Sequence, residues 1–304
     1  WARQLRDEVG IDNGYRRCGG LYVARTAAEH QQLQQAVAAW QGVGIQAELL
    51  SPSQLERLEP ALRHAAPAVA AAALLADEAQ IRNPWHLKAL IAACTLRGVA
   101  IESGTAAEQL EIRGSRVAGV QTVAGPRRAE RVVVASGAWT APLAAQLGLR
   151  LNVTPVRGQM VLLATPAPPL HRIVNEGPRY LVPRADGLLL VGSTEEAVGF
   201  DKRNTAAGVQ GLLQLAASLA PALQSATLER CWSGLRPSTA DGLPYLGPVP
   251  ALDNAWIAAG HFRSGLTLST GTARVIAQQL CGEPTDVPLE AFALDREQTA
   301  PSFA

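Results

Sequence analysis

Several things are scarce in this chain, and each scarcity excludes something. Met160 is the only methionine in 304 residues, and residue 1 is a tryptophan, so the sequence is expected to be a shortened form of a longer product. No apolar run is long enough for a membrane span. The longest, Ala65–Ala76, covers 12 residues, against roughly 20 for a spanning helix. No charged-then-apolar signal pattern stands at the start. Neither charge dominates: 27 Lys and Arg against 26 Asp and Glu leave a net charge of +1, unlike a basic nucleic-acid binder. The four cysteines, Cys18, Cys94, Cys231 and Cys281, form no CxxC pair. That spacing excludes a zinc site or redox dithiol and reads as free thiols in a reducing, cytoplasmic compartment. The five histidines also lack metal-ligand spacing, so no metal is expected. Neither GxxxxGK[ST] nor GxSxG occurs, which argues against a P-loop ATPase or GTPase and a serine hydrolase.

What is present suits a folded protein. The chain is 48% hydrophobic and 17% charged, with length for about two domains. "GGLYVAR" predicts a strand ending at Thr26, where Thr26 and Glu29 form a capping box for a helix to about Gln41. "VGIQAELL" is a second strand, and Ser51, Pro52 and Gln54 open a second helix. The one near match to a dinucleotide loop, "GVGIQA" at 42–47, follows a helix and precedes a strand. That is the reverse of the required order, so it reads as a helix end and turn. "IRNPWHLKALIAACTLRG" predicts a third helix capped by Asn83 and ended by Gly98, with "VAIESG" as a following strand. Gln109–Ile112 and Val117–Val123 read as a hairpin. "AERVVVASGAW" reads as a strand covered on both faces, with a helix opening near Thr140. Residues 155–200 read as antiparallel strands, Ala206–Leu219 as a helix, and Ala226–Trp232 as a strand. "NAWIAAG" is a last strand and "SGLTLSTGTARVIAQQLCG" a last helix ended by Gly282. The fold class is α/β plus α+β, one layered domain interrupted twice by another.

Two arginines stand in surroundings that explain themselves poorly. Arg236 lies in the turn-rich "WSGLRPSTADGLPYLGP" and Arg263 in "GHFRSG". A guanidinium keeps its charge and needs an anion when buried. The partner is either an internal Asp or Glu or a bound carboxylate, for which the fork of an arginine is well shaped. Small residues after the strand at Val132–Gly137, and again at Gly260, would let a cofactor approach the backbone, though close helix packing asks for the same residues. Carboxylates such as Asp77, Glu78, Glu195 and Glu196 show no acid/base spacing.

In the same order along the chain stand "YRRCGGLYVA", "DEAQIRNPWHLKAL", "RVVVASGAWT", "PVRGQMVLL", "RYLVPRADGLLLVGSTEE", "WSGLRPSTADGLPYLGP" and "AGHFRSGLTLSTGTARVIAQQL". Together they resemble the FAD-dependent D-amino acid oxidase superfamily, closest within it to glycine oxidases of the thiamine-biosynthesis type. The resemblance implies an incomplete FAD-binding Rossmann-like domain at 81–154 and 233–304, lacking the N-terminal GxGxxG segment. That domain would be interleaved with an antiparallel-sheet substrate domain at 14–80 and 155–232. It implies that Arg236 takes the substrate carboxylate, that Tyr180 lines the same site, and that Arg263 lies near flavin and substrate. It implies FAD contacts from Val133, Ala135, Gly137 and Trp139, and from Gly260, His261, Arg263, Ser264, Gly265 and Leu266. Glu195 falls where the family varies. The implied reaction is oxidative deamination of glycine or a small D-amino acid, with oxygen as acceptor. A D-amino acid dehydrogenase, a sarcosine-type oxidase and a non-catalytic amino-acid-binding remnant remain open alternatives. The implied partner is a small amino acid, with no nucleic acid and no membrane. A lost strand would bare a sheet edge, so instability or self-association into a homo-oligomer is expected.

Overall fold

The structure is a computed structural model describing residues 1–65, 68–167 and 169–297. In chain order its elements are α1 (Ala2–Val9), β1 (Arg16–Arg17), β2 (Gly20–Ala24), α2 (Ala27–Gly42), β3 (Ala47–Leu50), α3 (Pro52–Leu58), β4 (Ala71–Leu75), β5 (Ala79–Gln80) and α4 (Asn83–Leu96). Next come β6 (Ala107–Arg113), β7 (Arg116–Thr122), β8 (Gly125–Arg127), β9 (Val132–Val134), α5 (Thr140–Gln146), β10 (Thr154–Ala164), β11 (Ile173–Glu176), β12 (Arg179–Pro183) and β13 (Leu188–Gly192). The remainder is α6 (Ala206–Leu219), β14 (Thr227–Ser238), β15 (Tyr245–Pro248), β16 (Ala255–Ala259) and α7 (Gly265–Cys281). Two compact units result. The first holds Trp1–Ile101, Gly158–Glu195 and Arg203–Ser233; the second holds Glu102–Arg157, Glu196–Lys202 and Gly234–Ala304.

The first unit is organised by an eight-stranded sheet in the order β14-β10-β13-β12-β11-β2-β4-β3. Within it β11 and β2 run parallel. Side chains alternate across the sheet. Leu21, Val23, Val174, Leu181, Leu189 and Val191 point to one face, where Leu55 of α3 and Leu212, Leu215 and Leu219 of α6 cover them. Each fully buried leucine stabilises the fold by roughly 1.5–3 kcal/mol. On the other face Tyr22 and Ala24 meet α2, through Leu33, Val37 and a tilted Tyr22–Trp40 ring contact at 5.1 Å.

Local chemistry sets the helix ends. The hydroxyl of Thr26 accepts from the Glu29 amide while the Glu29 carboxylate accepts from the Thr26 amide. Ser51 and Gln54 make the same reciprocal pair, with Pro52 at the first helical position. Asn83 is not a cap. The third helix begins at Asn83 itself, Arg82 precedes it, and no side chain caps that end. Residues 99–104 form no strand, because Val99 and Ile101 are exposed and find no neighbouring strand to pair with. The helix α1 has no fully buried residue and no side-chain cap, so neither periodicity nor a stop signal marks it in the sequence.

The second unit has two three-stranded sheets, β15-β16-β9 and β6-β7-β8. Leu110, Val117, Val134, Ala144, Tyr245 and Ile257 share its core. Buried Asn254 ties three segments together. Its Oδ1 accepts from the Val117 amide at 2.9 Å, and its Nδ2 donates to the carbonyls of Val117 and Glu130, both at 3.0 Å.

Part of the turn-rich segment proves regular. The strand leading to Arg236 continues to Ser238, and Tyr245–Pro248 is a strand of its own, antiparallel to β16. Pro248 is tolerated because β15 is an edge strand, where a missing amide goes unnoticed. The strand at Val132–Val134 is also an edge, and it is not covered on both faces as expected: Val134 is buried, while Val133 is 37% exposed.

Candidate active site

Within the second unit, β9 and β16 run parallel, pairing Val132 with Ala255 and Val134 with Ile257. Ligands of open parallel sheets lie beyond the carboxyl ends of the strands. Here each strand end runs into a glycine in the left-handed region, Gly137 at φ +55° and Gly260 at φ +85°. A β-carbon at Gly137 would meet open space, whereas one at Gly260 would stand 2.6 Å from Cγ2 of Thr239. Only glycine fits position 260, and the space above position 137 is clear.

The turn after Gly260 carries much of the predicted set. Phe262 has φ +45°, unusual for a side chain of its size. Its amide donates to the carbonyl of Pro237 at 2.8 Å. That bond ties the segment bearing Arg236 to the segment bearing Arg263, each arginine one residue from it. Ser264 stands before α7 without side-chain capping, and the first bond of the helix runs from the Leu268 amide to the Ser264 carbonyl. The amides of Gly265, Leu266 and Thr267 therefore lack partners inside the helix and can hold negative charge. His261 donates to or accepts from the Thr272 hydroxyl at 2.9 Å, and burial lowers its pKa, which favours the neutral ring. Arg236 is half-buried, while Arg263 and Leu266 are exposed. On the β9 side, Val133 and Ala135 are exposed, and Trp139 packs its ring against Phe200 with centroids 5.6 Å apart. The residues present fit a flat, electron-rich cofactor: clear space over Gly137, a glycine-only position at 260, and helix-start amides.

In the first unit, Tyr180 stands on β12 and donates its hydroxyl to Sδ of Met160 at 3.6 Å. The ring lies over Gly192, where a β-carbon would come within 2.8 Å of the tyrosine and 2.6 Å of Met160. Tyr180 pairs with Asn175 on one side, and Asn175 pairs with Tyr22, so these side chains share one row across the sheet.

Several carboxylates found structural work that spacing did not show. Asp241, read as a turn residue, receives a two-pronged ion pair from Arg296 at 2.7 and 3.0 Å, and the Arg296 fork also stacks 4.0 Å from the Tyr245 ring centre. That partner holds the Asp241 carboxyl below its usual range. Glu196 pairs at 2.5 Å with buried Arg157, which also reaches Asp201 at 3.1 Å. Glu78 lies over Gly20, beside Tyr22 and Asn175; burial raises its pKa. A glycine facing a distant acid is a signal of this kind, but only the sheet register reveals it. Among the described residues no group of histidines, cysteines or carboxylates could hold a metal ion, and no helix is long and apolar enough to cross a membrane.

A model of the family described as FAD dependent oxidoreductase matches residues 1–279. A glycine oxidase of Geobacillus kaustophilus is 37% identical over 97% of this chain and 78% of its own length. One of Pseudomonas putida is 40% identical over 68% of the chain, which spans 57% of that relative. The crystal structure of the Geobacillus kaustophilus glycine oxidase superposes with a TM-score of 0.92 and 36% identity, over 97% of this chain and 79% of that one.

Proposed function

The chain belongs to the FAD dependent oxidoreductase family, and from that premise we propose that it takes part in oxidising the amine of glycine or a small D-amino acid. The bond from Phe262 to Pro237 carries this reading, since it gathers both arginine segments at the carboxyl end of β16. FAD, when bound, supplies the two-electron chemistry, converting the amine to an imine and passing the electrons to oxygen. The imine hydrolyses to an oxo acid and ammonia.

The chain's own residues have the remaining tasks. Arg236 grips the substrate carboxylate through its fork, which fixes the carbon that bears the amine. Arg263 sits beside the reacting centre. Gly137 and Gly260 admit the cofactor close to the backbone, flanked by Val133, Ala135 and Trp139. His261, Ser264, Gly265 and Leu266 bring amides and a neutral ring toward it, and the helix start stabilises charge gained on reduction. No side chain of altered pKa is required as a base. The domain reading that goes with these roles assigns 81–154 and 233–304 to the cofactor and 14–80 and 155–232 to the substrate. Four cysteines without disulfide partners support a cytoplasmic setting.

The test is reconstitution with FAD followed by measurement of glycine-dependent oxygen uptake and peroxide. Uptake with stoichiometric peroxide is expected. Turnover only with an artificial electron acceptor would move the assignment to a dehydrogenase. Failure of the protein to bind flavin would end the proposal.

A further inference from the structure

A third arginine, which the sequence did not single out, poses the question of the first two again. Arg184 follows β12 and is half-buried. Its Nη1 donates to Oε1 of Gln80 at 2.8 Å and to the carbonyl of Ile81 at 3.2 Å. Both acceptors are neutral. Gln80 is held in that orientation because its Nε2 donates to the Pro183 carbonyl at 2.8 Å. Among the described residues no carboxylate stands within ion-pair distance of Arg184, and its Nε and Nη2 make no hydrogen bond within the protein.

The neighbourhood deepens the imbalance. Burial penalises the Arg184 charge, and Arg82 and Arg16 repel it further. Asp186 is an opposing carboxylate that acts on Arg184, but it is already engaged by Nη1 of Arg82 at 2.5 Å. Arg16 donates to the Pro183 carbonyl at 3.0 Å and has no acid partner either. Three guanidiniums thus share one carboxylate. A planar fork with two spare N–H edges in a positive, partly desolvated setting matches an oxyanion in charge and shape. Along the strand, Tyr180, Val182 and Arg184 alternate with Leu181 and Pro183, so Arg184 falls on the Tyr180 face, roughly 13 Å further on.

We propose that Arg184, with Arg16 and Arg82 beside it, forms a binding site for a small oxyanion, a carboxylate or a phosphate. The inference rests on the first unit alone and stands whether or not the chain oxidises glycine. Thermal unfolding and calorimetry of this chain in inorganic phosphate, acetate and chloride at matched ionic strength test it. Phosphate or acetate is expected to raise the melting temperature above that in chloride, and the stronger of the two identifies the anion class. Arg184→Gln is expected to abolish the difference while melting no lower than the parent in chloride, since it removes a repelled charge. Arg16→Gln is expected to weaken anion affinity at least threefold, and Arg230→Gln, an exposed arginine elsewhere, to leave it unchanged. Equal melting in all three salts overturns the proposal. So does full anion response in Arg184→Gln or, should that variant not fold, full affinity in Arg16→Gln.

Discussion

The amide of Phe262 donates to the carbonyl of Pro237 at 2.8 Å. The two residues are 25 positions apart in sequence, and each adjoins an arginine: Arg236 precedes Pro237, and Arg263 follows Phe262. Phe262 accepts a left-handed backbone, φ +45°, to make the bond. For a bulky residue that conformation costs on the order of 1 kcal/mol or more. The turn retains it because it joins the end of one strand to the start of the last long helix.

Replacing Arg236 tests the substrate grip. In FAD-loaded enzyme, Arg236→Gln is expected to lower kcat/KM for glycine by about 100-fold or more, as loss of a charge-assisted, two-pronged contact implies. Arg236→Lys should recover only part, because an ammonium cannot bond in parallel. Steady-state kinetics with flavin content measured alongside decides it; unchanged kcat/KM at full flavin loading removes Arg236 from the substrate site.

Gly260→Ala tests the close approach at the end of β16. The new methyl would stand 2.6 Å from Thr239 on a backbone at φ +85°. Strain and crowding together should cost roughly 2–4 kcal/mol. A lower melting temperature and weaker flavin retention are expected, read by thermal denaturation and by flavin fluorescence after dialysis.

Asp241→Asn removes one partner of a well-buried pair, with side chains 7% exposed on each side. A loss of roughly 3 kcal/mol at neutral pH is expected. The folded pKa of Asp241 is depressed by Arg296, so its contribution is complete above the unfolded value of about 3.9 and disappears as pH falls through the folded one. The stability gap between parent and variant should therefore close in strong acid. Denaturant titrations at neutral and acid pH measure it, and a gap independent of pH would contradict the ion-pair account.

Glu78→Gln carries the opposite sign. Burial raises the folded pKa of Glu78, so the ionised form costs stability as pH rises above the unfolded value of about 4.3. The glutamine variant should match the parent near pH 4 and exceed it at about pH 7 to 8, well above the ordinary carboxylate range. A variant less stable than its parent at neutral pH would mean that the charge has a compensating partner.

Much of the molecule was legible from local chemistry. Thr26, Ser51 and Pro52 announced two helix starts, and Gly98 and Gly282 two helix ends, because capping and left-handed glycine are decided within a few residues. The end of α6 at Leu219 and the strands of residues 154–192 followed from pattern and turn residues. Local signals failed where a neighbour had to be present. Asn83 had the composition of a cap but not the geometry, and "VAIESG" had the composition of a strand but no strand beside it. The left-handed glycines at 137 and 260 and the start of α7 could be read from strand-glycine-helix order. The Asp241–Arg296 and Glu196–Arg157 pairs could not, since their partners are 55 and 39 positions away.

By itself the sequence determined the element types, the left-handed glycines and the two arginine-bearing segments, because backbone conformation and capping depend on near neighbours. Tertiary structure decided which charges are satisfied internally. It gave Asp241 and Glu196 to arginines, set half-buried Glu78 beside neutral groups, and left Arg184 among like charges. Those outcomes depend on strand register and on burial, which set both the distance between charges and the water around them, and neither is written in any short stretch of chain.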